Sequence, residues 1–148
     1  MERVPHSINE RGVFVDTSAF LALVARNDPH HSAAKAILDR LEQWRYRLFT
    51  INYIVVETHA SILRAVSPQV GRGFLQNGLS GVTLLSTRSE DEERGKSLIL
   101  GQTDKKYSYC DAISFAVMGR YLLSLAFAFD DHFRQHGFST PLDRLNWP

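Results

Sequence analysis

Val13-Phe14-Val15-Asp16-Thr17-Ser18-Ala19-Phe20 decides how the rest of the chain is read. Three apolar, mostly β-branched residues predict a buried strand. An acid stands at the strand's end. Thr17 and Ser18 follow, well suited to cap a helix that Ala19-Phe20-Leu21-Ala22-Leu23-Val24 would begin. In an open α/β sheet, ligands bind at the carboxyl ends of the strands. A carboxylate there lies at the rim of an apolar core, where burying a charge is costly. Asp16 by itself reads equally well as a helix cap; the remainder of the chain separates the two readings.

Working outward, strand signals alternate with helical ones. The first strand, 12–16, leads to a helix ending near residue 25 and a turn at Arg26-Asn27-Asp28-Pro29. Ser32 is placed to cap a second helix, 33–46, whose apolar positions Ala33, Ala36, Ile37, Leu41 and Trp44 recur at helical spacing. Leu48-Phe49-Thr50-Ile51 predicts a second strand. A helix from 52 or 53 to 66 aligns Ile54, Glu57, Ser61 and Arg64 on one side. Helix 69–77, strand 82–85 and a helix from 89 to about 100 follow. The run Glu90-Asp91-Glu92-Glu93 in the first turn of that helix reads as a solvated start favoured by the helix dipole. A polar loop, 101–109, precedes a largely apolar helix opened by Asp111. Leu125-Ala126-Phe127-Ala128-Phe129 predicts a fourth strand with Asp130 at its end, then a helical turn over 131–136. The tail, 141–148, would add an edge strand or only a loop. This alternation predicts an α/β fold: one α/β/α sandwich of Rossmann-like type, with a central parallel sheet of four to five strands and right-handed crossovers.

The bulk properties agree. The chain has 148 residues, enough for one domain with a sizeable core. Its net charge of +1 neither demands nor excludes a nucleic-acid partner. Cys110 is the single cysteine, which excludes an intrachain disulfide and a cysteine metal cluster. Residues 1–11 are polar and read as a flexible leader rather than a signal peptide. The longest apolar runs fall short of a membrane helix. A cytoplasmic protein is expected.

Four acids stand out by position. Asp16 and Asp130 end apolar strands; Glu57 and Asp111 lie near the starts of largely apolar helices. Strand ends and the starts of the following helices share one edge of a parallel sheet, so all four can meet there, with Asp131 able to replace or assist Asp130. Two carboxylates about 4 Å apart repel by roughly 4 kcal/mol at an effective dielectric near 20. Protonation would relieve a cluster of four, and a divalent cation would do so better. Hard oxygen donors without a cysteine or histidine set suit Mg²⁺ or Mn²⁺.

On these residues the chain resembles the PIN-domain ribonucleases, particularly the VapC-type toxins of toxin–antitoxin pairs. The resemblance spans about residues 13–138 and rests on Val15-Asp16-Thr17-Ser18-Ala19, Val56-Glu57-Thr58, Asp111-Ala112-Ile113-Ser114-Phe115 and Phe129-Asp130-Asp131-His132-Phe133. It implies a PIN-like fold and Mg²⁺- or Mn²⁺-dependent hydrolysis of RNA phosphodiester bonds. By motif position, Asp16, Glu57, Asp111 and Asp130 match the family's metal-binding catalytic acids. Thr17 or Ser18 matches its hydroxyl beside the first acid, and Asp104 falls at another common family position. Cys110 departs from the pattern, which has Thr or Ser before the third acid; the substitution could weaken a helix cap. A small antitoxin partner and a homodimer are further implications. Lys105, Lys106, Arg26, Arg64 and Arg134 are the candidate RNA contacts, with ordinary solvated charge as the alternative for each.

Other readings compete less well. His132 and His136 have the spacing of a zinc pair on a helix but lack further ligands, so surface or packing roles are expected. Haloacid-dehalogenase-like phosphatases want an acid where Ser18 stands, and receiver domains want a phosphoacceptor and a lysine that the third and fourth strands do not supply. The alternative function is a PIN-fold module that binds RNA or protein with little or no nuclease activity.

Overall fold

Val13, Phe14 and Val15 are buried on both sides, as a central strand of a parallel sheet covered on both faces must be. The computed structural model describes residues 11–141; all but Arg11 of the leader read over 1–11, and all but Pro141 of the tail read over 141–148 as an edge strand or only a loop, lie outside the described residues. Four strands form the sheet: β1 (Gly12–Val15), β2 (Arg47–Ile51), β3 (Val82–Leu85) and β4 (Ala126–Phe127). All pairs are parallel, in the order β3-β2-β1-β4. Leu125 and Ser139 add an isolated parallel bridge rather than a fifth strand.

The order explains the layering. The chain steps from β1 to β2 to β3 in one direction. Between them run α1 (Thr17–Val24), α2 (His31–Gln43), α3 (Asn52–Ala65), α4 (Pro68–Gly73) and a π turn, Phe74–Gly78. It then returns past β1 to β4 through α5 (Ser89–Gly101) and α6 (Tyr109–Arg120), and ends on α7 (His132–Gln135). With right-handed crossovers, reversing direction puts the two groups of helices on opposite faces. Val15, Leu48 and Val82 accordingly line a cavity of about 220 Å³ with Phe20, Leu38 and Phe74. Phe14, on the other face, meets Phe133 of α7 at a ring distance of 6.1 Å, and Phe115 of α6 lies 5.1 Å from Phe133. The strand order reverses between β1 and β4, and ligands of open α/β sheets bind beside such a switch point.

Several local expectations give way to tertiary packing. Asp16 caps α1, not Thr17 or Ser18. Helix α2 begins at His31 without a side-chain cap from Ser32, and it buries Ala34 and Leu41 while Ala33 and Ala36 face solvent. Helix α3 buries Ile54, Thr58 and Ile62, so its inner stripe is offset from the line through Glu57, Ser61 and Arg64. The expected helix 69–77 divides into α4 and the π turn. In the acidic start of α5, Asp91 is not solvated. It is 1% exposed and is held by Arg120, which bonds Asp91 Oδ1 at 3.1 Å, Asp91 Oδ2 at 2.8 Å and the Ser86 carbonyl at 2.6 Å.

Candidate active site

The switch point places Asp16 first. Its backbone N–H bonds the Phe127 carbonyl across the β1–β4 seam at 3.0 Å, and its side chain is almost wholly buried. Asp16 Oδ2 accepts from the Ser18 N–H at 3.2 Å and from the Ser18 hydroxyl at 2.7 Å. The same hydroxyl accepts from the Phe129 N–H at 3.0 Å, tying the end of β4 to the acid. Burial raises the Asp16 pKa well above the ordinary carboxylate value; the charges of Asp130 and then Asp111 add to the rise, against the pull of the Ser18 bonds. Asp16 therefore serves both readings open from sequence: it caps α1 and shares a site with two other acids.

Asp111 sits in the first turn of α6. Ser108 Oγ accepts from the Asp111 N–H at 3.0 Å, and Asp111 Oδ2 accepts from the Ser108 N–H at 3.0 Å, a reciprocal capping box. Asp111 Oδ2 also lies 2.8 Å from His132 Nδ1, and the His132 ring sits edge-on to Tyr107 at 5.8 Å. Asp130 Oδ1 accepts from the His132 N–H at 3.2 Å. Glu57 reaches the cluster through Cys110. Burial first, then the charge of Glu57 and a side-chain hydrogen bond to it, push the Cys110 thiol up, with Asp16 and Asp111 adding to the effect. Asp16, Asp111 and Asp130 thus lie together at one end of the sheet, and Glu57 acts on Cys110 beside Asp111. Cys110 does not weaken the cap of α6, because Ser108 supplies it.

The supporting residues divide. Ser18 is the hydroxyl on Asp16; Thr17 instead accepts from the buried Thr58 hydroxyl at 3.3 Å, joining α1 to α3. Asp131 is exposed and pairs with Arg134. The Asp131 candidate ligand and the Arg134 candidate RNA contact are thus paired with each other. Asp104 is exposed, and its charge acts on Tyr107 rather than on the acids. Lys105 and Lys106 are exposed on the loop leading into α6, at the acidic edge. Arg64 lies seven residues beyond Glu57, about 10 Å further along α3. Arg26 follows the far end of α1 and lines a concavity with Ala65 and Val66. Both arginines belong to the opposite end of the molecule. His132 is the residue that sequence reading misplaced, since it contacts Asp111 directly. Its position two residues after Asp130 was the available signal.

Comparison with known proteins decides what this edge belongs to. The PIN-domain profile matches residues 13–139. The chain belongs to the PIN-domain family. It is 30% identical over 130 residues to the 23S rRNA-specific endonuclease VapC20 of Mycobacterium tuberculosis, covering 85% of this chain and 95% of that protein. The crystal structure of that VapC20, described as a Sarcin-Ricin loop cleaving toxin, superposes with a TM-score of 0.76 at 28% identity over the same shares of the two chains. VapBC2 from Rickettsia felis, bound to a DNA fragment from its promoter, matches at a TM-score of 0.67 and 8% identity, covering 87% of this chain and 96% of that one. At that identity the likeness concerns the fold.

PIN chemistry implies a divalent cation, and the side chains present can be tested for it. Among the described residues no three His, Cys, Asp or Glu side chains stand at the spacing of a finished metal site. The donor chemistry nevertheless fits. The bonds that fix Asp16 and Asp111 fall on Oδ2 of each, and those of Asp130 on Oδ1. One oxygen of each acid holds the fold, and the other lies outside these bonds. Burial and the neighbouring acids disfavour ionisation of Asp16, and a hard cation would offset that.

Proposed function

We propose that this PIN-domain protein is an Mg²⁺- or Mn²⁺-dependent endoribonuclease and the toxin of a toxin–antitoxin pair, acting in the cytoplasm as one PIN-like unit. The burial of Asp16 in the field of Asp130 and Asp111, at the β1–β4 switch point, carries this reading. Asp16, Glu57, Asp111 and Asp130 would hold the cation. A divalent cation at such a cluster supplies polarisation of a phosphoryl oxygen and a water of lowered pKa for in-line displacement. The chain's own residues do the positioning. Ser18 orients Asp16, and Ser108 and His132 orient Asp111. This chemistry does not need a 2′-hydroxyl, so a preference for RNA must come from contacts outside the acids; Lys105 and Lys106 stand at the right edge to reach phosphates.

The 30% identity to an rRNA-specific endonuclease over most of both chains supports structured RNA as the substrate class. A small antitoxin and a second copy of the chain are the partners this reading entails. The test is cleavage of a mixed, structured RNA pool with Mg²⁺ or Mn²⁺ against EDTA, for the native chain and Asp16→Asn. Asparagine keeps a capping side chain, so circular dichroism should be unchanged. Cutting that needs metal and disappears in the variant supports the reading. Equal cutting by both proteins, or cutting in EDTA, overturns it.

A further inference from the structure

The end of β4 carries a second feature besides Asp130. Phe129 lies two residues past the end of β4, and its ring meets that of Phe127 edge-on, with the centroids 5.9 Å apart. Phe129 is partly buried against the core, and His30 covers it. The two rings are stacked at 4.5 Å with an interplanar angle of 9°. His30 is exposed, and Phe129 covers one side of its imidazole. Among the described residues the ring of His30 has no hydrogen bond; its contact is the stack.

The backbone beneath this ring is fixed in advance. The His30 N–H donates to Asp28 Oδ1 at 2.8 Å, Pro29 restricts the residue between, and His31 Nδ1 meets the Ala22 carbonyl at 2.7 Å, binding the start of α2 to α1. Phe129 is equally fixed, because its N–H is held by the Ser18 hydroxyl that also holds Asp16. A rigid, exposed π face is therefore indexed to the acids through one covalent neighbour and one hydroxyl. Such a face binds a base without sequence readout, and its order costs nothing further on binding.

We propose that the His30–Phe129 stack is a nucleobase platform, on which a base flanking the scissile phosphate of single-stranded or looped RNA stacks against the outer face of His30. This rests on the nuclease reading above and assigns the substrate a contact outside the carboxylates.

The test uses single-stranded RNA decamers carrying 2-aminopurine, whose fluorescence falls on stacking. They are bound to the full chain in an Asp16→Asn background so that the probe stays intact. His30→Ala and His30→Leu should each weaken binding by roughly 5- to 150-fold, the range for loss of one stacked base, and should abolish the quenching. His30→Tyr should restore both. Melting curves of the variants show whether any loss comes from unfolding. Affinity and quenching unchanged in His30→Ala overturn the platform. So does His30→Leu binding as well as His30→Tyr, which would make the ring an apolar cover. A defect confined to binding a protein partner, with RNA binding intact, overturns it too. Metal-dependent cleavage by the native chain is measured separately. Cleavage with a silent His30 rejects the platform alone, and stacking without cleavage rejects the nuclease alone.

Discussion

Ser18 does through one hydroxyl what the fold and the site both require: it donates to Asp16 and accepts from the backbone of Phe129. His132 has a comparable role on the other side, touching Asp111 through its ring and Asp130 through its N–H. Side chains that orient metal-binding carboxylates commonly change metal affinity or activity by roughly 10–100-fold when removed. His132→Ala should therefore raise the Mg²⁺ or Mn²⁺ concentration needed for half-maximal cleavage by about that factor, while far-ultraviolet circular dichroism stays native. A metal titration of cleavage in both proteins checks this. An unshifted midpoint would reduce His132 to packing on Tyr107. The bonds from Ser18 to Phe129 and from His132 to Asp111 are not legible in the chain, because each joins positions distant in sequence. Only the identity of the acids, and their places at strand ends and helix starts, could be read there.

Among the elements, α5 and α6 pack most intimately, and Gly95 is why. A Cβ at Gly95 would lie 3.0 Å from the Ile113 backbone nitrogen and 3.2 Å from the Ala112 carbonyl carbon. Gly95→Ala should cost about 1–3 kcal/mol as an overpacking change. It should also lower cleavage, because α6 carries Asp111 one residue before the contact; urea unfolding and a cleavage assay measure the two effects. The far end of the same helix pair is held by Asp91 and Arg120. Burial pushes the Asp91 carboxyl up, but the Arg120 hydrogen bonds and the Arg88 N–H outweigh it and hold it below the ordinary value. The unfolded chain thus binds a proton more readily than the native one. The stabilisation is present above the ordinary carboxylate range and is lost as pH falls through about 4 toward the lowered value. Urea unfolding from pH 7 to pH 3 should show a flatter acid decline in Asp91→Asn, from a lower starting stability. Removing one partner of such a buried pair, as in Arg120→Ala, should cost roughly 3–5 kcal/mol.

For the whole molecule, the proposed function makes the acids at the β1–β4 seam a link between cation binding and folding. Anything that binds the native state alone stabilises it by mass action, by about 2.7 kcal/mol at a hundred times its dissociation constant. Mg²⁺ or Mn²⁺ should therefore raise the melting temperature of the native chain, in a manner saturable with concentration. The shift should be much smaller in Asp16→Asn, whose metal-free form should melt no lower than the native protein because asparagine is neutral. Differential scanning fluorimetry in EDTA and across a metal series measures both, and equal shifts in the two proteins would place the cation elsewhere. Among the described residues no helix is long and apolar enough to cross a membrane.

The order of strands and helices was legible because hydrophobic period and turn residues are local signals: Val13-Phe14-Val15 read as a buried strand, and 126–127 lies inside the apolar run read as the last one. The acids could be ranked because a carboxylate at the end of an apolar strand contradicts its surroundings. Which hydroxyl serves Asp16, that Asp131 turns to Arg134, that Asp91 is buried, and that His30 lies on Phe129 were decided only by the tertiary structure. Each is a choice among side chains of similar local propensity. What settles it is packing: the partner is 2 to 111 residues away, and where it is distant in sequence only the fold brings it near.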